Sequence, residues 1–172
     1  MCDLIALHEA YTRGDLAAVR RLMGDPPDFP NCRGPAAVGE IVLEYAIYHS
    51  PLAMIGALLD LGADPNYEDS AGFPSLIAAL SGDPRAERHE ILELLLAHGA
   101  DVGQRGINDY TPLHYAVSAR DHEAIRILLA HGADPNARTR IDDYATPLEE
   151  AETLGLADAV EMLKAALERQ GR

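Results

Sequence analysis

The chain has 172 residues, with 28 Asp and Glu against 14 Lys and Arg, so its formal net charge is -14. This charge repels nucleic-acid phosphates and excludes a nucleic-acid-binding protein; it indicates either simple solubility or a protein partner with a basic surface. Hydrophobic residues make up 48% of the chain but aromatic residues only 5%, which favours thin stacked layers over one large globular core.

Five segments in chain order each predict a pair of helices. The first helix of each contains a leucine followed three residues later by an alanine: Leu7 and Ala10, Leu43 and Ala46, Leu76 and Ala79, Leu113 and Ala116, Leu148 and Ala151. Apolar residues at helical spacing follow in each second helix: Val19, Leu22 and Met23; Ile55, Leu58 and Leu59; Leu92, Leu95 and Leu96; Ile125, Leu128 and Leu129; Val160 and Leu163. The leucines recur every 33 to 37 residues, which indicates one repeated structural unit.

Helix ends are also marked. Thr111 and Thr146 each precede a proline, so we expect them to be N-caps with proline at the first helical position. Glu149 completes a capping box with Thr146. Gly-Ala-Asp elements at 62–64, 99–101 and 132–134 supply the glycine that ends a helix in the left-handed conformation.

The period, the run Thr111-Pro112-Leu113-His114-Tyr115-Ala116 and the run from His131 to Asn136 resemble the ankyrin-repeat family. The resemblance implies an all-α ankyrin-repeat solenoid of stacked helix-turn-helix units with short β-turn fingers. It implies a single ankyrin-repeat domain over 1–172, in which the first and last repeats act as caps. The approximate repeats are 4–35, 36–66, 67–103, 104–136 and 137–172.

The resemblance also assigns structural roles to four of the seven histidines. His8 and His114 hold the position whose ring hydrogen-bonds within its own repeat, and His98 and His131 precede Gly-Ala and brace the loop. His49, His89 and His122 lie too far apart in sequence to predict a metal site.

Three segments depart from the pattern: 26–35, 81–89 and 138–144. Insertions in solenoids map to surface loops, often on the binding face. The alternative is a neutral change of length in loops that tolerate it. We expect the first of them, with four prolines, to be an ordered loop.

In ankyrin arrays the fingers and the exposed side of the first helices line a concave groove. On this register the residue two after each leucine faces that groove: Glu9, Tyr45, Ala78, Tyr115 and Glu150. The predicted partner-binding residues are Tyr45, Tyr48, His49, Phe73, Tyr110 and Tyr115, with Asp142 and Asp143 as an acidic rim. The alternative is that some rings pack between neighbouring helices, Tyr45 and Tyr115 first among them. Tyr11 falls at a core position.

No catalytic constellation and no phosphate-binding motif is present, so the resemblance implies a non-enzymatic protein–protein interaction module. We expect no cofactor, no metal, no nucleic acid and no membrane, and a monomer that binds another protein. Two alternatives are a dedicated regulatory, inhibitory or protective partner of a bacterial enzyme, and a small-ligand or metal-responsive sensor that uses the histidines and the tyrosine-rich groove.

The expected compartment is the cytoplasm. Cys2 and Cys32 are too few for a disulfide scaffold and predict free thiols. No basic stretch followed by an apolar run begins the sequence, and no apolar segment approaches the roughly 20 residues that span a bilayer. Arginine outnumbers lysine 13 to 1 here, since Lys164 is the one lysine, which hints at a bacterial gene.

Overall fold

A computed structural model describes residues 3–35, 39–68, 72–81, 86–140 and 144–170. These residues form ten α-helices and one short 3-10 helix, Ile107–Asp109. The α-helices are α1 Leu4–Arg13, α2 Leu16–Leu22, α3 Val42–His49, α4 Leu52–Asp60, α5 Ser75–Ser81, α6 Arg88–Ala97, α7 Pro112–Ser118, α8 His122–Ala130, α9 Pro147–Thr153 and α10 Ala157–Gln170.

The helices pack in two layers. The first helices, α1, α3, α5, α7 and α9, contact one another in chain order, and so do the second helices α4, α6, α8 and α10. Each first helix also packs against the second helix that follows it. Within the described ranges the one extended pairing is a single bridge between Arg33 and Ile41. The predicted all-α solenoid is therefore confirmed.

The repeated leucines form the centre of the core. Leu7, Leu43, Leu76 and Leu113 are at most 2% exposed, whereas Leu148 is half-buried. The apolar residues predicted for the second helices are not all buried: Leu22, Met23, Leu96, Leu129 and Val160 are half-buried. In α10 the fully buried residue is Ala159, which is adjacent to Val160.

The predicted helix starts are present. Thr146 accepts from the backbone N–H of Glu149 at 3.2 Å, and the Glu149 carboxylate accepts from the Thr146 N–H at 2.8 Å. Thr111 and His114 make the same reciprocal arrangement at the start of α7. These contacts satisfy N–H groups that the first turn of a helix leaves without an intrahelical acceptor.

The proline-containing loop at 26–35 is fixed by contacts with the next repeat. Asn31 bonds to the backbone of Gly62 and Asp64, and the Arg20 guanidinium lies 5.7 Å from the centroid of the Phe29 ring. Cys32 in this loop is a buried free thiol whose pKa is raised by burial and by nearby Asp28. Residues 82–85 and 141–143, which belong to the other two departures, and Cys2 lie outside the described residues. Among the described helices, none combines the length and apolar character needed to cross a bilayer.

Candidate functional site

Aromatic rings from α1 and α3 form a cluster, called here the upstream cluster, on the exposed side of the first helices. The Tyr45 ring centroid lies 4.7 Å from that of Tyr11 and 4.4 Å from that of His49. His8 and His49 are 5.2 Å apart, and Tyr48 and His49 are 6.2 Å apart, between ring centroids. The cluster therefore joins the first two repeats.

Most of the upstream cluster also serves packing. Tyr11 is 2% exposed, as expected of a core residue, and burial raises the pKa of its hydroxyl. Tyr45 and Tyr48 are half-buried and pack against the hydrophobic core. Burial, and secondarily the charge of Glu40, raises the pKa of Tyr45. The packing alternative thus holds for both tyrosines, whereas His49 is exposed.

His8 corrects one assignment made from the repeat register. Its ring is exposed, and its Nδ1 lies 2.8 Å from the hydroxyl of Tyr45, which belongs to the next repeat. It does not take the predicted within-repeat role because its ring pairs with a tyrosine 37 residues away. No local sequence pattern predicts the contact between His8 and Tyr45.

A second set of rings, the downstream cluster, lies at the start of α7. The Tyr110 ring centroid is 5.2 Å from that of His114 and 5.7 Å from that of Tyr115. Tyr115 packs against the core, and burial raises the pKa of its hydroxyl. Tyr110 is half-buried and lies in extended backbone two residues before Pro112, the first residue of α7.

His114 takes the role predicted for it. Its Nδ1 accepts from the backbone N–H of Thr111 at 3.2 Å, and its Nε2 lies 3.2 Å from the carbonyl oxygen of Ala145. The first bond requires an unprotonated Nδ1, so Nε2 carries the hydrogen and donates to Ala145. Burial lowers the pKa of the ring, which is consistent with a neutral imidazole. The ring therefore links its own repeat to the next one.

The downstream cluster borders a cavity of about 450 Å³ between Tyr110 and α9, called here the downstream cavity. Its lining residues are Tyr110, Arg138, Ala145, Glu149, Glu150, Thr153 and Leu154. Arg138 donates to both carboxylate oxygens of Glu149, at 3.2 and 3.3 Å. The Thr146 N–H and then Arg138 hold the pKa of Glu149 below its usual range. Ser118 donates to Glu150. The lining thus contains two carboxylates, Glu149 and Glu150, and one guanidinium, Arg138.

The predicted site residues thus fall into two clusters rather than along one aromatic groove. α5 packs between α3 and α7, and at the position predicted to face the groove it carries Ala78, which is 1% exposed. Phe73 is half-buried and packs against the core, and its carbonyl accepts from the Tyr67 hydroxyl at 3.3 Å. Asp142 and Asp143 lie outside the described residues.

Sequence reasoning missed the polar partners that shape the downstream cavity. Ser118 reaches Glu150 across 32 residues, and Arg138 reaches Glu149 from the finger. Glu149 was detectable as a capping-box residue, but only the packing of α7 beside α9 reveals its neighbours.

The remaining histidines do not form a metal site in the part of the chain that the structure describes. His89 Nε2 lies 2.8 Å from Asp121 Oδ1, and Arg88 lies 3.6 Å from the other carboxylate oxygen. Asp121 also accepts from the N–H of Ala124 and so caps α8. This cluster ties the third repeat to the fourth. No group of three or more His, Cys, Asp or Glu side chains among the described residues is arranged to hold a metal ion.

Comparison with known proteins identifies the family. The family model for ankyrin repeats in three copies matches residues 43–139 and again 76–169. The chain belongs to the ankyrin-repeat family. This ankyrin-repeat protein is also 32% identical to an L-asparaginase of Dirofilaria immitis over 163 residues, or 92% of the chain. The chain spans only 25% of the length of that relative.

Proposed function

We propose that this ankyrin-repeat protein is a non-enzymatic interaction module that binds a basic segment of a partner protein at the downstream cavity. Ankyrin repeats generally mediate protein–protein interactions. The observation that carries the proposal is the cavity itself, which Tyr110 lines together with Glu149 and Glu150 of α9. The other predicted aromatic residues, Tyr45, Tyr48, Phe73 and Tyr115, pack against the core.

The chemistry of the cavity favours a lysine or arginine side chain as its occupant. A cation over the Tyr110 ring gains about 0.5–1 kcal/mol at an exposed site and more when desolvated. Glu150 supplies a second carboxylate to the cavity wall, beside the Glu149 carboxylate that Arg138 contacts. The aliphatic part of the cation would pack against Leu154, which is 36% exposed.

The charge of the whole chain supports the same partner. A net charge of -14 attracts a basic surface over a distance and raises its rate of encounter. The stacked helices are ordered before binding, so association costs little conformational entropy on this side of the interface.

The test compares Tyr110→Ala and Glu150→Gln with the unmodified protein in affinity capture from the source cell, with partners quantified by mass spectrometry. An aromatic hot spot is worth on the order of 2 kcal/mol, so Tyr110→Ala should weaken capture of the same partner by roughly 30-fold. Glu150→Gln should weaken it most at low salt, because the lost interaction is electrostatic. Capture that survives both changes would contradict the proposal.

Arg126→Ala is the matched control. Arg126 is exposed on α8, in the second-helix layer, and pairs with Glu123, so its loss should change neither capture nor melting temperature. Tyr48→Ala cannot separate a loss of binding from a loss of stability. The Tyr48 ring packs against the core, so that variant should lose stability as well.

A second candidate is a module that regulates an enzyme. The similarity to one quarter of an L-asparaginase chain is the observation that suggests it. If the captured partner is an enzyme, its kcat and KM should change when the purified repeat protein is added, and Tyr110→Ala should abolish the change. Unchanged kinetics at saturating repeat protein would leave binding alone as the function. For the metal-sensor form of the third hypothesis, no group of three or more His, Cys, Asp or Glu side chains among the described residues is arranged to hold a metal ion.

A further inference from the structure

Carboxamide side chains connect successive repeats along the row of fingers. In the first junction the Asn31 Nδ2 donates to the carbonyl oxygen of Gly62 at 3.0 Å. Its Oδ1 accepts from the backbone N–H of Asp64 at 2.7 Å. One carboxamide thus satisfies an acceptor and a donor of the next Gly-Ala-Asp turn, and this arrangement is called a rung below.

The second junction repeats the rung. The Asn66 Nδ2 donates to the carbonyl oxygen of Gly99 at 2.9 Å, and its Oδ1 accepts from the N–H of Asp101 at 2.7 Å. The two rungs agree in partners and differ by no more than 0.1 Å in length. The Gly-Ala-Asp turn therefore presents a defined receptor for a primary carboxamide.

The third junction has this receptor but no side chain to fill it. Gly103 takes the place of the asparagine, and its N–H donates to Asp101 Oδ1 at 2.9 Å. Asn66 makes the equivalent turn with Asp64 at 2.8 Å, so the backbone at Gly103 follows the same path. Among the described residues, no group donates to the carbonyl oxygen of Gly132 or accepts from the N–H of Asp134.

A cavity of about 220 Å³ lies on the Asp134 side of this open rung, several times the roughly 30 Å³ that one water molecule takes in the liquid. Gly103 and Asp134 line it, with apolar walls from Ala133, Ala137 and Val102. It is therefore large enough for a side-chain amide and its methylene group.

The open rung is close to the site proposed for the partner. Arg105 lines the cavity and donates to the carbonyl oxygen of Arg138 at 2.8 Å. Arg138 in turn forms part of the wall of the downstream cavity. The hydrogen bond between Arg105 and Arg138 therefore connects a residue of one cavity lining with a residue of the other.

We propose that the open rung at Gly103 binds a primary carboxamide, that of an asparagine or glutamine side chain of the partner. The amide NH₂ would donate to Gly132 O and the amide oxygen would accept from the Asp134 N–H, as Asn31 and Asn66 do in their own junctions. A carboxylate has no hydrogen to donate to the carbonyl, so the receptor discriminates against Asp and Glu. This assignment of a partner residue rests on the proposed function.

The test is a titration of the ¹⁵N-labelled protein with acetamide, followed through the backbone amide signal of Asp134. Two hydrogen bonds worth about 0.5–1.5 kcal/mol each, offset by the entropy lost on association, predict a weak, concentration-dependent shift of this signal. Acetate has the same size without the NH₂ group and should shift the signal at least about tenfold more weakly. A flat Asp134 signal, or an equal response to acetate, overturns the proposal.

Two variants make the titration specific. Gly103→Asn fills the rung and should abolish the Asp134 response. Asn66→Gly opens the second rung and should give the Asp101 amide a new response to acetamide, while Asp134 keeps its own. An Asp134 response that persists in Gly103→Asn would show that the amide binds elsewhere.

The source of the carboxamide is resolved by two further probes. N-acetyl-asparagine methylamide stands for a residue within a partner chain, and free L-asparagine stands for a metabolite. The blocked residue should bind at least as tightly as the free amino acid; a tenfold preference for the free one overturns the partner assignment. These titrations do not involve Tyr110 or Glu150, so capture that survives both Tyr110→Ala and Glu150→Gln would refute the proposed partner cavity and leave the carboxamide result intact.

Discussion

Gly103→Asn should stabilise the protein, an unusual direction for a single substitution. The new side chain would complete the third rung with two hydrogen bonds, each worth about 0.5–1.5 kcal/mol net. Replacing glycine also removes freedom from the unfolded chain, worth about 0.4–1 kcal/mol. A Cβ at this position would meet Asp101 Oδ1 at 3.5 Å, an ordinary contact, so no strain opposes the gain. Ordering the new side chain at a solvated finger offsets part of these terms, which leaves a net gain of about 1–2 kcal/mol.

Asn66→Gly is the matched reverse change. It removes the rung to Gly99 and Asp101 and restores glycine freedom to the unfolded chain. The expected loss is of the same size, about 1–2 kcal/mol. The double variant should return close to the stability of the unmodified protein if the two junctions contribute equally.

Thermal and urea denaturation, followed by circular dichroism, measure both changes. For a chain of this size 1 kcal/mol moves the melting temperature by roughly 2–4 °C, so shifts of about 2–8 °C in opposite directions are expected. Amide hydrogen exchange should slow in α7 and α8 for Gly103→Asn, because coupling between neighbouring repeats is local. A loss with Asn66→Gly but no gain with Gly103→Asn would refute the equivalence of the two positions.

Three further predictions concern the core, the buried histidine and the charge. Leu113→Ala and Leu128→Ala each empty a fully buried site and should cost roughly 2–5 kcal/mol in urea denaturation; wild-type stability in both would contradict the assigned helix faces. Burial lowers the pKa of His114, so the unfolded chain binds the proton more readily and the free energy of unfolding should fall as pH drops below about 6.5. His114→Gln should flatten that part of the pH profile, and an unchanged slope would assign it to other groups. At a net charge of -14, fluorescence anisotropy should detect no binding of duplex DNA at physiological salt, and micromolar affinity would overturn the electrostatic argument.

The repeating architecture was readable from the sequence because it depends on local spacing. A leucine followed three residues later by alanine places both side chains on one helix face, and caps such as Thr146 with Glu149 act within four residues. Hydrogen bonding by His114 within its repeat was equally predictable, since its partner Thr111 is three residues away.

The exposure of the aromatic rings could not be read in the same way. Tyr115 and Tyr110 both belong to the predicted groove, yet Tyr115 packs against the core while Tyr110 borders a cavity. Ala78 holds the position equivalent to Tyr115 but is 1% exposed. The neighbours of each side chain come from adjacent repeats, and their approach depends on how closely the helices pack.

The polar contacts between repeats were decided by tertiary structure alone. His8 meets Tyr45, and Ser118 meets Glu150, across 37 and 32 residues. In the sequence, Gly103 is visible only as a glycine at the position where the preceding finger has Asn66. Only the stacking of the fingers places the Gly132 carbonyl and the Asp134 N–H of the next repeat next to Gly103. The hydrogen bonds of a rung connect residues that are far apart in sequence, so local sequence patterns do not predict them.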